Sequence, residues 1–153
     1  FHDLTDAQVN SLAMFAGLAG GVLMTSDQLD DVPEARRELL AVLAGDGQPY
    51  QCDFPQLGKT RLSYRLGTAP NGQPMAISEG DPVLIQRVRW ADGSVLLNVF
   101  NSGDAAVERQ LDPALAGNAP RQVAESGVVM ALSKNGVALR LEPHQSRQLL
   151  FSP

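Results

Sequence analysis

The chain has 153 residues, 44% of them hydrophobic and 19% charged, enough for one core that buries roughly 70% of the unfolded surface. Twelve Lys and Arg stand against seventeen Asp and Glu, giving a net charge of −5 with no basic cluster, which argues against nucleic acid as a partner. No apolar run is long enough to span a membrane, and the single cysteine, Cys52, has no internal disulfide partner and is expected to be a structural thiol.

Thr5 and Gln8 have the spacing of a capping box, which predicts a helix from Asp6. Val9, Leu12, Phe15, Ala16 and Ala19 share one face, and Ala13, Met14 and Leu18 cover much of the rest. A helix apolar on nearly all sides is expected to be buried. Gly20 and Gly21 end it, and Val22-Leu23-Met24-Thr25 follows as a short buried strand. Ser26 and Asp27 come next. A second helix is expected with Asp31 and Glu34 at its start, Pro33 in its first turn and Ala35, Leu39, Val42 and Leu43 as its stripe. Gly45 suits its left-handed cap. One buried strand cannot form a sheet alone, so this unit looks cut from a larger structure. A chain starting at Phe1 rather than Met fits that expectation.

Beyond Gly45 the period changes from helical to two, and nine of the ten prolines occur there. Residues 46–58 are expected to be a linker or entry loop. Leu62, Tyr64 and Leu66 alternate with Arg61, Ser63 and Arg65 as a half-buried strand does. Asp92-Gly93 has the chemistry of a two-residue hairpin turn, which pairs Trp90 with Val95, Val88 with Leu97 and Gln86 with Val99. Trp90, Val88, Val95, Leu97 and Val99 then share a core face. Asn135-Gly136 repeats the device and pairs Leu132 with Leu139 and Met130 with Leu141. A last strand, Arg147–Phe151, returns after a turn at Pro143-His144. Short strands punctuated in this way predict an antiparallel sandwich. The fold class expected is an α+β fragment: a helix–strand–helix remnant followed by an antiparallel β-sandwich.

Few side chains stand out as chemistry. Asp30 and Asp31 are adjacent, project in different directions and favour a helix start. Asp3 and Asp6 cap or solvate the first helix. His2 and His144 lie far apart without metal-ligand spacing, so no metal site is expected. Ser-His-Asp catalysis lacks a Gly-x-Ser-x-Gly elbow. Gly17, Gly20 and Gly21 close a helix and precede the strand, which is the wrong order for a dinucleotide fingerprint.

The order helix, buried strand, polar loop, helix resembles the closing segment of a (β/α)₈ barrel, in which strand ends face the active site. Leu18-Ala19-Gly20-Gly21-Val22-Leu23-Met24-Thr25-Ser26-Asp27 is similar to the segment near the barrel's end in the α-galactosidase (melibiase) clan of glycoside hydrolases. Pro33–Leu43 resembles that barrel's final helix, and Leu141-Glu142-Pro143-His144-Gln145-Ser146 resembles the last hairpin of its C-terminal domain. The resemblance divides the chain into a barrel segment (1–45), a linker (46–58) and a C-terminal β-sandwich (59–153).

That family implies retaining hydrolysis by two aspartates on earlier barrel strands, with carboxyl groups about 5 Å apart. Neither catalytic strand motif occurs here, so no catalytic residue is assigned, and no cofactor is implied. The carbohydrate partner would be met through the parent barrel. Asp27, and after it Ser26, sits where a strand end would face the sugar; the competing role for Asp27 is capping the following turn. Two other classes stay open. A non-catalytic carbohydrate-binding sandwich would use exposed aromatic faces, for which Tyr50 is the candidate, since Trp90 and Tyr64 share predicted faces with apolar neighbours. A purely structural β domain would pack against a barrel or mediate homo-oligomer contacts.

Overall fold

The structure is a computed structural model that describes residues 4–19, 34, 50–56, 63–68, 70–117, 122–125, 127–130, 132 and 135–153. Helix α1 spans Asp6–Leu18. Its start follows from the capping box: Thr5 Oγ1 accepts from the Gln8 amide at 3.3 Å, and Gln8 Oε1 accepts from the Thr5 amide at 2.8 Å. The expected strand Val22–Thr25 and the second helix Pro33–Leu43 lie outside the described residues, apart from Glu34, which is helical.

Ten strands follow among the described residues: β1 Tyr50–Asp53, β2 Ser63–Thr68, β3 Pro74–Glu79, β4 Val83–Trp90, β5 Val95–Asn101, β6 Val107–Leu111, β7 Gln122–Glu125, β8 Val128–Met130, β9 Val137–Leu141 and β10 Ser146–Ser152. A six-stranded sheet has the order β1-β4-β5-β10-β7-β8, with every pairing antiparallel. Two-stranded ribbons form from β2 with β3 and from β6 with β9. The ribbon β6–β9 packs on the inner face of the large sheet. Val95, Leu97, Val99, Leu149 and Phe151 meet Leu111, Val137, Leu139 and Leu141 there, all of them buried. Each large side chain sealed in this way contributes about 1.5–3 kcal/mol. The result is the antiparallel, sandwich-like α+β arrangement expected from the strand pattern.

Register is where the structure departs from the pattern. The hairpin β4–β5 closes with a three-residue loop, residues 91–93, and not with two. The Trp90 amide donates to the Ser94 carbonyl at 3.0 Å, Gly93 takes φ +88°, and the Asp92 carboxylate accepts from the Ser94 amide at 2.8 Å. One extra loop residue shifts every pair by one. Arg87 therefore stands opposite Leu97, Ile85 opposite Val99, Val88 opposite Leu96 and Gln86 opposite Asn98. Val88 and Trp90 lie on the outer face, and Arg87 and Arg89 share the inner face with Ile85.

Asn135-Gly136 also serves a different purpose. It carries the chain from one sheet to the other, because β8 pairs with β7 whereas β9 pairs with β6. Leu139 faces Arg109 and Leu141 faces Val107. Gly136 adopts φ +92° with its backbone against Leu111, so its glycine answers a close approach and not a hairpin. The turn after Leu141 is likewise an arch between sheets: β10 pairs with β5 and β7, not with β9. Tyr50–Asp53, expected within the linker, is an edge strand on β4. A four-residue strand is too short to display a period of two.

Candidate functional site

The outer face of the six-stranded sheet carries helix α1. Gln86, Asn98 and Gln148 stand side by side on β4, β5 and β10. Gln86 is 2% and Asn98 1% exposed. Gln148 Nε2 donates to Asn98 Oδ1 at 3.0 Å, Asn98 Nδ2 to Gln86 Oε1 at 3.1 Å, and Gln86 Nε2 to the Phe15 carbonyl of α1 at 3.0 Å. These amides were not singled out in the sequence. The available signal was an amide at a mid-strand position of each of three strands, VLIQRVRW, VLLNVFN and SRQLLFS.

Tyr50 and Trp90 meet beside the end of α1, with ring centroids 6.3 Å apart and planes at 57°. The Tyr50 hydroxyl donates to the Gly17 carbonyl at 3.2 Å. Tyr50 thus anchors a helix terminus, and Trp90 is half-buried against it rather than in the sandwich core. Cys52, also half-buried, accepts a weak bond from Gln86, and burial pushes its thiol pKa up, away from reactivity. Phe15 packs on Phe54 at 5.6 Å. Leu12 remains 47% and Phe15 36% exposed, so α1 is not covered on all sides as its composition suggested.

Several acidic side chains are engaged structurally. Asp53 receives two bonds from Arg87, at 2.8 and 2.6 Å, and one from Arg89 at 3.2 Å. The hydrogen bond from Arg87 holds its pKa below the usual carboxylate range. Arg87 also donates to the Leu115 carbonyl at 2.9 Å and so fastens the short 3-10 turn Pro113–Ala116 beside the core. Asp81 binds Arg109 and the Val83 amide, Glu125 binds Arg147, and Glu142 binds Arg140. The Asp104 carboxylate sits 2.9 Å from His144 Nε2. An open groove of about 470 Å³ along β6 and β9 is lined by Glu108, Arg109, Gln110, Ala138, Leu139 and Arg140, with no aromatic side chain among the described lining residues to receive a sugar face. No cluster of three or more metal-ligating side chains occurs among the described residues.

Ser26 and Asp27, the candidate sugar contacts, lie outside the described residues, as do His2, Asp3, Asp30 and Asp31. Asp6 opens α1.

No family model and no curated protein matches the chain. Solved structures do match. A variant of a GH27 β-L-arabinopyranosidase from Geobacillus stearothermophilus aligns with 99% of this chain and 31% of its own, at 17% identity and a TM-score of 0.66. A putative α-galactosidase/melibiase from Bacteroides fragilis aligns with 97% of this chain and 29% of its own, at 13% identity and a TM-score of 0.66. The fold is that of the C-terminal segment of an α-galactosidase-like glycoside hydrolase. The α-galactosidase-like fold extends to α-galactosidase I from Mortierella vinacea, with 98% of this chain on 36% of that one at 10% identity and a TM-score of 0.64. The chain thus spans about a third of the length of these structures.

Proposed function

We propose that this chain is the C-terminal portion of a retaining, α-galactosidase-like glycoside hydrolase, in which residues 1–45 close the barrel and the β domain stabilises it. The observation that carries the reading is the fold likeness, which takes in nearly all of this chain but only about a third of each neighbour. The β domain would begin at Tyr50, the first residue of the strand paired with β4, rather than at residue 59. The substrate is a carbohydrate held by the barrel. Asp27 accepts hydrogen bonds from sugar hydroxyls there, with Ser26 beside it. Retaining hydrolysis requires two carboxyl groups about 5 Å apart, one as nucleophile and one as acid/base. Those groups belong to earlier barrel strands.

A stand-alone sugar-binding module receives no comparable support, because Tyr50 spends its hydroxyl on Gly17 and Trp90 packs beside it. The test compares hydrolysis of an aryl α-galactoside by this chain and by the longer polypeptide that contains it. Turnover by the longer polypeptide alone is the expected result. Robust turnover by this chain would overturn the accessory role. Turnover by neither would overturn the galactoside assignment, and a glycan-binding screen would then decide between another glycosidase and a binding module.

A further inference from the structure

The amide row beneath α1 is a relay with a direction. Every donor points the same way, from Gln148 on β10 through Asn98 and Gln86 to the Phe15 carbonyl. Two of the amides donate a second time: Gln148 Nε2 to Ser146 Oγ at 3.1 Å and Gln86 Nε2 to Cys52 Sγ at 3.6 Å. The relay ends in the last turn of α1, on a carbonyl that keeps its intrahelical bond and offers its second lone pair to a donor from the sheet. Phe15 O accepts from the Ala19 amide at 3.2 Å and from Gln86 together, and Gly17 O accepts from Tyr50. A third polar contact lies one turn earlier. Ser11, 2% exposed, donates its hydroxyl to the His144 carbonyl at 2.6 Å. Among the described residues His144 is the non-glycine residue with positive φ, +58°. Residues 11, 15 and 17 of α1 are therefore pinned to the β9–β10 arch, to β4 and to β1 in turn.

We propose that this network is an orienting device: it fixes the angle and axial position of α1 on the sheet and adds little to net stability. Hydrophobic attraction has no direction, and α1 buries one apolar side chain, Val9, while its half-buried Ala13, Met14, Ala16, Gly17 and Leu18 are mostly small or flexible and give an apolar surface little to key against. Helix position on such a surface needs directional bonds. Those bonds bring small net stability, because burying the Gln86 and Asn98 amides, with Gln148 half-buried beside them, incurs a desolvation cost that their pairing roughly offsets. Replacing a whole buried polar network by apolar groups of similar volume is accordingly near neutral, whereas removing one member strands its partner. The inference holds whether or not the chain is part of a glycosidase. If it is, the device sets the angle between barrel and β domain.

The test uses this chain with all three amides replaced together, Gln86→Met, Asn98→Leu and Gln148→Met. The expected variant melts within about 4 °C of the parent, the shift that roughly 1 kcal/mol produces in a domain of this size. Backbone amides of residues 15–19 exchange hydrogen at least about tenfold faster, whereas those of β5 and β10 do not change. Unchanged exchange in α1 would overturn the proposal. So would a failure to fold, or a large loss of melting temperature with helix and sheet exchange rising together, because either marks the relay as ordinary stabilisation. A second variant, Ser11→Ala with Tyr50→Phe, leaves the relay intact and should accelerate exchange in α1 alone; no acceleration there would count equally against it.

Discussion

At Gly136 the backbone takes φ +92°, and a Cβ would sit 1.8 Å from the Leu111 carbonyl oxygen. Gly127 has a similar φ of +78°, yet nothing lies within 4 Å of its would-be Cβ. The pair separates conformational strain from steric clash. Gly127→Ala should cost about 1–2 kcal/mol, the price of a left-handed alanine. Gly136→Ala should cost at least about 3 kcal/mol, because the β9 backbone must also withdraw from β6; urea titration of both variants checks the difference. Asp53 supplies the pH dependence. Arg87 lowers its folded-state pKa below the unfolded value of about 3.9, so its stabilisation is present above that pH and is lost as pH falls through the folded value. Asp53→Asn should therefore be less stable than the parent at neutral pH, with the deficit shrinking below about pH 4. Denaturation midpoints along a pH series report this directly.

Individual elements were legible to different depths. The Thr5–Gln8 capping box is a local device, and the helix began where it indicated. The β4–β5 hairpin was also legible, but its register was not. A two-residue and a three-residue loop both accommodate Asp92-Gly93, and alternation did not arbitrate because β4 and β5 are buried on both faces, by the ribbon β6–β9 inside and by α1 outside. Polar residues at inner positions, Arg87 among them, further blur the pattern until Asp53 and the Leu115 carbonyl are seen to satisfy it. The edge strand β8 carries its own prediction. Val128 is 66% and Val129 63% exposed at the end of the six-stranded sheet, an apolar edge without a charge of its own. Val129→Lys should lower light scattering in concentrated solution while changing stability by no more than about 0.5 kcal/mol.

Across the whole molecule, one core joins the six-stranded sheet to the β6–β9 ribbon, and Leu97 lies fully buried within it. Leu97→Ala should cost about 3 kcal/mol, the usual loss for an emptied core leucine. Trp90, the single tryptophan, sits on the opposite face beside Tyr50 and α1, so its fluorescence follows the helix-bearing side. If the two faces form one cooperative unit, fluorescence and far-UV circular dichroism shift to the same lower midpoint in this variant. Separate midpoints would show that the helix-bearing face unfolds on its own. Charge plays a lesser part in that unit, because the ion pairs are half-exposed ones that fasten particular edges, such as Arg87–Asp53.

Sequence alone determined the features whose causes are local or periodic: the capped helix, the succession of short strands, and the likeness to the C-terminal segment of an α-galactosidase-like hydrolase. Tertiary structure decided which strands are neighbours. Asn135-Gly136 looks like a hairpin turn in isolation, but β9 gains more by pairing with β6 and sealing Leu139 and Leu141 against the large sheet. It also decided that Gln86, Asn98 and Gln148, separated by as many as 62 positions, meet in one row. No local rule relates them, because strand adjacency is set by burying apolar faces across the fold, and the polar partners follow from that choice.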